Sequence, residues 1–376
     1  MSPGIYLDYN ATAPLRPQAR DAMLRAWDLG GNPSSVHATG RAARAIVEQA
    51  RNEVAALVGG PASTIVFTSG GTEANALAID SAVAAGAKRL IIGAIEHESV
   101  LETAKASGMA VEILPVTSMG TANLAWLKAR LEAWDPADGK PFVALMLANN
   151  ETGILQPVLE VSELVRASDG WLHVDAVQAA GKITIDSRAL GADTLAVSAH
   201  KLGGPQGVGA LTFGPRATLV RRQHGGGQER GRRAGTENVA GIAGFGAASK
   251  AAMADTDDHA AWRDAAALEL ARLGAVVIGE TSMRLPNTLC VAMPGQAADL
   301  QVMALDLAGF RVSAGSACSS GKVKASHVLT AMGLDDVAGC AIRVSGGWAT
   351  TQADWQAFVA AWATLQSQAR QRAAAA

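Results

Sequence analysis

Phe142-Val143-Ala144-Leu145-Met146-Leu147-Ala148 is apolar at every position. A strand with one wet face alternates, so a short continuous run of this kind belongs inside a sheet covered on both sides. A segment of helical periodicity follows over 159–167, and then a second run, Trp171-Leu172-His173-Val174. Strand, helix and strand in that order form a parallel crossover unit. The pattern repeats outward, with strands expected over 65–68, 89–93, 111–114, 193–198 and 208–213. Helices are expected over 40–58, from the Gly-rich turn at 70–71 to 85, and over 123–133. In the first of these Ala43, Ile46, Val47, Ala50, Val54 and Leu57 share one face, and Gly59 is placed to stop the helix. The fold class is therefore α/β, a large domain with a mainly parallel seven-stranded sheet.

From about residue 241 the pattern changes. An Ala-rich, charged helical zone over 241–273 leads to shorter strands near 275–279, 287–291 and 342–345, with helices over 298–308 and 352–370. These make a smaller α+β unit. Asp255, Asp257 and Asp258 interrupt the apolar pattern. The expected organisation is an N-terminal segment (1–15), a large domain (16–254) and a small C-terminal domain (255–376).

Composition narrows the function. Among 376 residues, 32 Lys and Arg balance 34 Asp and Glu, so no global field recruits nucleic acid or an anionic membrane. The three cysteines, Cys290, Cys318 and Cys340, form no CxxC pair, which argues against a disulfide scaffold, a zinc finger or an iron–sulfur ligand set. No metal site is expected. The opening MSPGIYLDYN lacks the basic flank and apolar core of a secretory signal, and no apolar run approaches the roughly 18–20 residues of a membrane span. A cytoplasmic protein is expected.

Four polar islands fall where strands should end, the usual ligand position in open α/β sheets. Thr68-Ser69-Gly70-Gly71-Thr72-Glu73 joins a strand to a helix, where small residues and free N–H groups suit an anion. An ordinary strand–helix turn reads the same way. In His173-Val174-Asp175-Ala176-Val177-Gln178 an acid ends an apolar strand, which is costly unless the carboxylate is paired. A protonated pyridine nitrogen is one partner, and a structural cap is another. Ser198-Ala199-His200-Lys201 sets a lysine among glycines 26 positions after Asp175. Desolvated there, the amine is suited to carbonyl chemistry, and on the surface it is not. Lastly, Cys318 lies in Ser313-Ala314-Gly315-Ser316-Ala317-Cys318-Ser319-Ser320-Gly321, among small polar neighbours that leave a thiol accessible as a nucleophile. Cys290 and Cys340 sit in apolar surroundings and read as core. His224-Gly225-Gly226-Gly227 has no nucleophile elbow to serve. The arginines at 221, 222, 230, 232 and 233 suit a small phosphate or a subunit contact better than nucleic acid.

Taken in order, the motifs YLDYNAT (6–12), GNPSS (31–35), TSGGTEAN (68–75), Glu96-His97, NNETG (149–153), HVDAVQ (173–178), SAHK (198–201), RAGT (233–236) and GSACSS (315–320) form one pattern. It closely resembles the cysteine desulfurases of the NifS/IscS type, in the class V aminotransferase group of pyridoxal-phosphate enzymes, over roughly 5–345. The resemblance implies a fold-type I homodimer that converts L-cysteine to L-alanine and loads sulfur onto Cys318 as a persulfide, for iron–sulfur cluster assembly or other sulfur-containing biosynthesis. It makes Lys201 the Schiff-base lysine and Asp175 the partner of the ring nitrogen of pyridoxal 5'-phosphate. Gln178 bonds the phenolic oxygen, and His97 stacks on the ring and assists proton transfer. Gly71, Thr72, Ser198 and His200 hold the phosphate, and Thr236 reaches the phosphate of the neighbouring subunit. Asn150 touches cofactor and substrate, and Arg343 holds the substrate carboxylate. A sulfur-acceptor protein or iron–sulfur scaffold is the implied partner. A selenocysteine lyase or related β-lyase of the same group is the alternative. One departure stands out. Lys322 and Lys324 occupy a stretch where familiar members carry an acidic residue and a proline.

Overall fold

The computed structural model describes residues 4–256, 258–315 and 325–375. Its centre is a seven-stranded sheet. Across it lie Ile65–Thr68, Gly209–Phe213, Thr194–Ser198, Trp171–Asp175, Phe142–Met146, Arg89–Gly93 and Ala110–Leu114. All neighbours are parallel except Gly209–Phe213, which runs antiparallel to both strands beside it. Phe142–Met146, Trp171–Asp175 and Thr194–Ser198 are buried at every position, as their unalternating sequences require. The edge strand Ala110–Leu114 is the exception. It is half exposed, and Glu112 on it pairs with Arg89 and Arg130, which charges an edge that would otherwise invite pairing.

Helix Val239–Met253 is built largely of Ala and Gly and is buried over most of its surface. That composition lets it lie between helices Pro17–Leu29 and Ala38–Leu57. Pro17–Leu29 carries no strong apolar stripe; only Ala19 and Ala26 of it are buried, while Leu24 and Trp27 are exposed. The sequence pattern therefore did not mark it. The expected helical zone over 241–273 is two helices, Val239–Met253 and His259–Arg272. Asp258 caps the second through its carboxylate, and Asp255 pairs with the buried Arg16. The break is thus specified by two acids with separate partners.

The C-terminal part forms a four-stranded antiparallel sheet ordered Ser313–Ala314, Ala341–Ser345, Thr288–Ala292 and Val276–Val277. Leu289, Val291, Ile342, Val344, Trp355, Phe358 and Trp362 fill its core. The N-terminus joins this unit. Ile5–Tyr6 pairs in parallel with Phe310–Arg311, and Asp8 bridges to Ser345. The chain then turns at Asn10 and passes the large sheet.

Helices Ala38–Leu57 and Val239–Met253 meet at Gly246, where an added Cβ would lie 2.6 Å from Ala50 Cα. Backbone cannot yield as a side chain can. Gly246→Ala is expected to lower stability by about 1–3 kcal/mol, read in urea as a lower midpoint with an unchanged slope. An unchanged midpoint would contradict this packing.

Candidate active site

At the C-terminal edge of the large sheet a cavity of about 220 Å³ is lined by Gly71, Thr72, Asn75, His97, Asn150, Asp175, Gln178, Ser198, His200 and Lys201, among others. Each of these follows or ends a strand of the sheet or starts the helix after it, so residues more than a hundred positions apart converge. A larger cavity, about 450 Å³, shares Lys201 but contains neither Asp175 nor His97. The smaller one brings His97, Asp175, His200 and Lys201 together.

Asp175 ends the strand Trp171–Asp175 and is 6% exposed. Its Oδ1 accepts from Val177 N (2.9 Å) and its Oδ2 from Asn75 Nδ2 (2.8 Å). Asn75 is fully employed. Its amide also donates to Ser99 Oγ (2.9 Å), and its Oδ1 faces His173 Nε2 at 3.0 Å. Burial pushes His173 down to about 4, so the ring is neutral, with Nε2–H donating to Asn75. Ser99 continues the chain to His97. Its backbone N–H donates to His97 Nδ1 (3.0 Å), and its hydroxyl lies 2.9 Å from the same atom. A ring nitrogen that accepts a backbone N–H carries no proton, so the hydrogen-bond network assigns the His97 proton to Nε2. Burial lowers the His97 pKa, with Asp175 opposing and Lys201 adding to the effect, in keeping with that neutral tautomer. Beneath them Glu96 is fully buried. Burial, reinforced by Asp175, pushes its carboxyl well above the usual range.

Lys201 sits in a short turn after the strand Thr194–Ser198, and its Nζ donates to the carbonyls of Asn10 (2.7 Å) and Ala11 (2.9 Å). Gln178 Nε2 shares the Asn10 carbonyl at 3.0 Å. Across the cavity, helix Gly71–Ala84 starts with no side chain capping its first N–H groups. A Cβ at Gly71 would lie 2.7 Å from Val177 Cγ2, so a larger residue there would displace that side chain. His200 contacts Thr12 Oγ1 at 3.2 Å, and burial with the neighbouring Lys201 charge lowers it to about 4. Ser198 is buried at the end of its strand.

Asn150 offers its Oδ1 without a partner among the described residues, although the atom is buried. Its carbonyl accepts from Arg343 Nη1 (3.0 Å) and Asn10 Nδ2 (3.3 Å). Arg343 stands behind Asn150 rather than in the cavity wall, and its Nη2 pairs with Asp8 Oδ1 at 2.8 Å. Thr236 is exposed and does not line the cavity. Cys318 lies outside the described residues, as do Lys322 and Lys324. Cys290 is buried, and its thiol is pushed up by that burial; Cys340 packs beside the same core. In the arginine-rich stretch Arg222 pairs with Asp80, Arg230 with Glu48 and Arg233 with Glu73, and Arg232 lies over the Phe213 ring. The sequence reading gave no role to Asn75, Ser99 or Asn10. Asn75 stands four residues after Gly71, one helical turn on, so its spacing carried a usable signal.

The aminotransferase class V family profile matches residues 5–358. The chain belongs to that family. Cysteine desulfurase IscS of Dictyoglomus turgidum is 38% identical to it over 364 residues, covering 93% of this chain and 91% of the relative. A solved NifS-like protein superposes with a TM-score of 0.89 at 33% identity, over 97% of this chain and 99% of the other. A structure of SspA in complex with cysteine superposes with a TM-score of 0.78 at 30% identity, over 91% and 98%. Cysteine desulfurases are pyridoxal-phosphate enzymes, and the fold expected from the sequence, with its mainly parallel seven-stranded sheet, is the fold of the family. The cavity also fits that cofactor chemically. It offers an uncapped helix start for a phosphate, a buried carboxylate for a ring nitrogen, an amine for a carbonyl and an orphaned amide oxygen at Asn150.

His173 generates a prediction for pH. Its ordinary value is 6.5, and in the fold it falls to about 4. Between those values the unfolded chain binds a proton that the folded chain does not, so stability drops as pH falls through the window, by up to about 3 kcal/mol. Chemical unfolding of His173→Gln should show a flatter pH dependence from 6.5 to 4 than the wild type, whatever its stability at pH 7. Parallel curves would contradict the assignment.

Proposed function

We propose that this cavity holds pyridoxal 5'-phosphate and L-cysteine, and that Cys318 removes the substrate's sulfur. The observation that carries the reading is the placement of Lys201, Asp175 and His97 on one cavity at the carboxyl edge of the sheet. Bound there, pyridoxal phosphate supplies an electron sink for negative charge developing at the substrate's α-carbon. Lys201 would hold its carbonyl through the side-chain amine and would serve as the base for the α-proton. The Asp175 carboxylate, oriented by Asn75 and Val177, keeps a ring nitrogen protonated. His97 offers Nε2–H as a proton donor, because Ser99 occupies Nδ1. Gly71, Thr72, Ser198 and His200 receive the phosphate. Asn150 reaches cofactor and substrate through its unoccupied Oδ1. Arg343 would take the substrate carboxylate by turning from the Asn150 carbonyl and Asp8, which hold its guanidinium behind the cavity wall.

The Cys318 thiolate then attacks the cysteine sulfur. The carbon–sulfur electron pair stays on carbon, two protons complete alanine, and Cys318 is left as the persulfide. An acceptor protein or iron–sulfur scaffold takes that sulfur onward. The same reading makes the active unit a homodimer. Thr236, exposed and away from its own cavity, is available to the partner's phosphate site, and Leu24 and Trp27 offer apolar surface for a partner to cover. It divides the chain at 15/16 and 254/255, and it assigns the protein to the cytoplasm. Among the described residues no helix is long and apolar enough to cross a membrane.

The test is Cys318→Ala in the reconstituted holoenzyme. The variant should keep the visible absorbance of bound cofactor while sulfide and alanine production from L-cysteine fall to background. Undiminished production with the absorbance intact would reject Cys318 as the acceptor.

A further inference from the structure

Behind Gln178, outside the cavity wall, lies a second lysine. Lys182 Nζ donates to Gln178 Oε1 at 2.9 Å and to Asn10 Oδ1 at 2.7 Å. Gln178 Nε2 in turn donates to the Asn10 carbonyl at 3.0 Å. The two ends of a carboxamide are nearly the same size, so only hydrogen-bond polarity decides which end faces which way. Here both ends are decided. Turning the group over would set NH₂ against the Lys182 amine and oxygen against the Asn10 carbonyl, opposing two donors and two acceptors.

Burial and the charges of Lys201 and Arg343 push Lys182 well below the ordinary lysine value. A charged amine only donates, whereas a neutral one keeps two N–H groups for the two acceptors and gains a lone pair. The Lys182 end is therefore decided most strictly by the charged form, and the Asn10 carbonyl decides the other end in both. Lys182 also fixes a second amide. With its Oδ1 turned to Lys182, Asn10 must direct Nδ2 to Thr288 Oγ1 (2.9 Å) and the Asn150 carbonyl (3.3 Å). Asn287 Nδ2 donates to the same Oδ1 at 3.4 Å, so Lys182 and Asn287 together hold Asn10 in that orientation.

We propose that Lys182 is a positioning residue for the desulfurase reaction, acting through Gln178. It locks the Gln178 carboxamide with its oxygen turned away from the cavity, so Gln178 can donate to a ligand oxygen there and cannot accept from one. The inference rests on the reading above, in which Gln178 meets the phenolic oxygen of the cofactor. A donor at that oxygen weakens its hold on the adjacent proton, so loss of the donor raises the pH midpoint of the visible band.

The experiment is a spectroscopic pH titration of the holoenzyme in a mutant cycle. Gln178→Leu should raise the midpoint by about one pH unit, the order expected for one hydrogen bond to a charged group. Lys182→Met should raise it comparably, whereas Lys182→Arg, which keeps only donors, should stay near wild type. In the Gln178→Leu background, Lys182→Met should add no more than about 0.3 unit, the scatter of independent sites. If Lys182→Met does not fold, Lys182→Gln replaces it, since its amide can accept from an inverted Gln178. A midpoint moved by Gln178→Leu but not by the Lys182 variants overturns the inference alone. Equal Lys182 shifts in both backgrounds also overturn it, because the effect would then be one of charge. A midpoint unmoved by Gln178→Leu removes the reading of Gln178 and the inference with it.

Discussion

The structure depends on one carboxylate set in a dry place. Asp175 ends a central strand, nearly buried, and two neutral N–H groups are its hydrogen-bond partners in the protein. Burying an anion with such partners is costly, and in the proposed function a cationic ring nitrogen offsets that cost. Much around Asp175 serves its orientation. Asn75 can donate to it because the Nε2–H of His173 occupies the Asn75 oxygen, and burial of the strand holds the His173 ring neutral. The parallel sheet thus does more than carry the site. Its dryness selects the protonation states on which the hydrogen bonds depend.

A second constraint acts between the two units. Asn10, 1% exposed, accepts at its carbonyl from Lys201 and Gln178. Its backbone N–H donates to Ser345 Oγ, and its side chain reaches Thr288 and Asn287. The N-terminal strand is fixed to the small sheet just before this point. A displacement of the C-terminal unit is therefore felt near the lysine amine, which the carbonyls of Asn10 and Ala11 hold.

The large sheet was legible because its strands are apolar without alternation and its turns are rich in glycine. Lys201 and Asp175 were legible for a related reason, whereas His97 entered only through the family resemblance. Polar groups at the ends of apolar strands are anomalies that call for a partner. Asn10 offered no such signal, since its partners lie as far as 335 positions away and its neighbours are ordinary. Pro17–Leu29 was missed because its buried face is made of alanines beside exposed Leu24 and Trp27, which blurs the apolar stripe. The break between Val239–Met253 and His259–Arg272 looked like an interrupted helix. Only the partners of Asp255 and Asp258 show why two helices form.

The most direct test is the protonation of the cofactor ring in the folded enzyme. In holoenzyme reconstituted with pyridoxal phosphate labelled with 15N in the ring, NMR should report a protonated nitrogen throughout the neutral range. In Asp175→Asn, which keeps the size of the side chain and removes its charge, that proton should be lost. An unprotonated ring nitrogen in the wild-type enzyme would contradict the account at its centre.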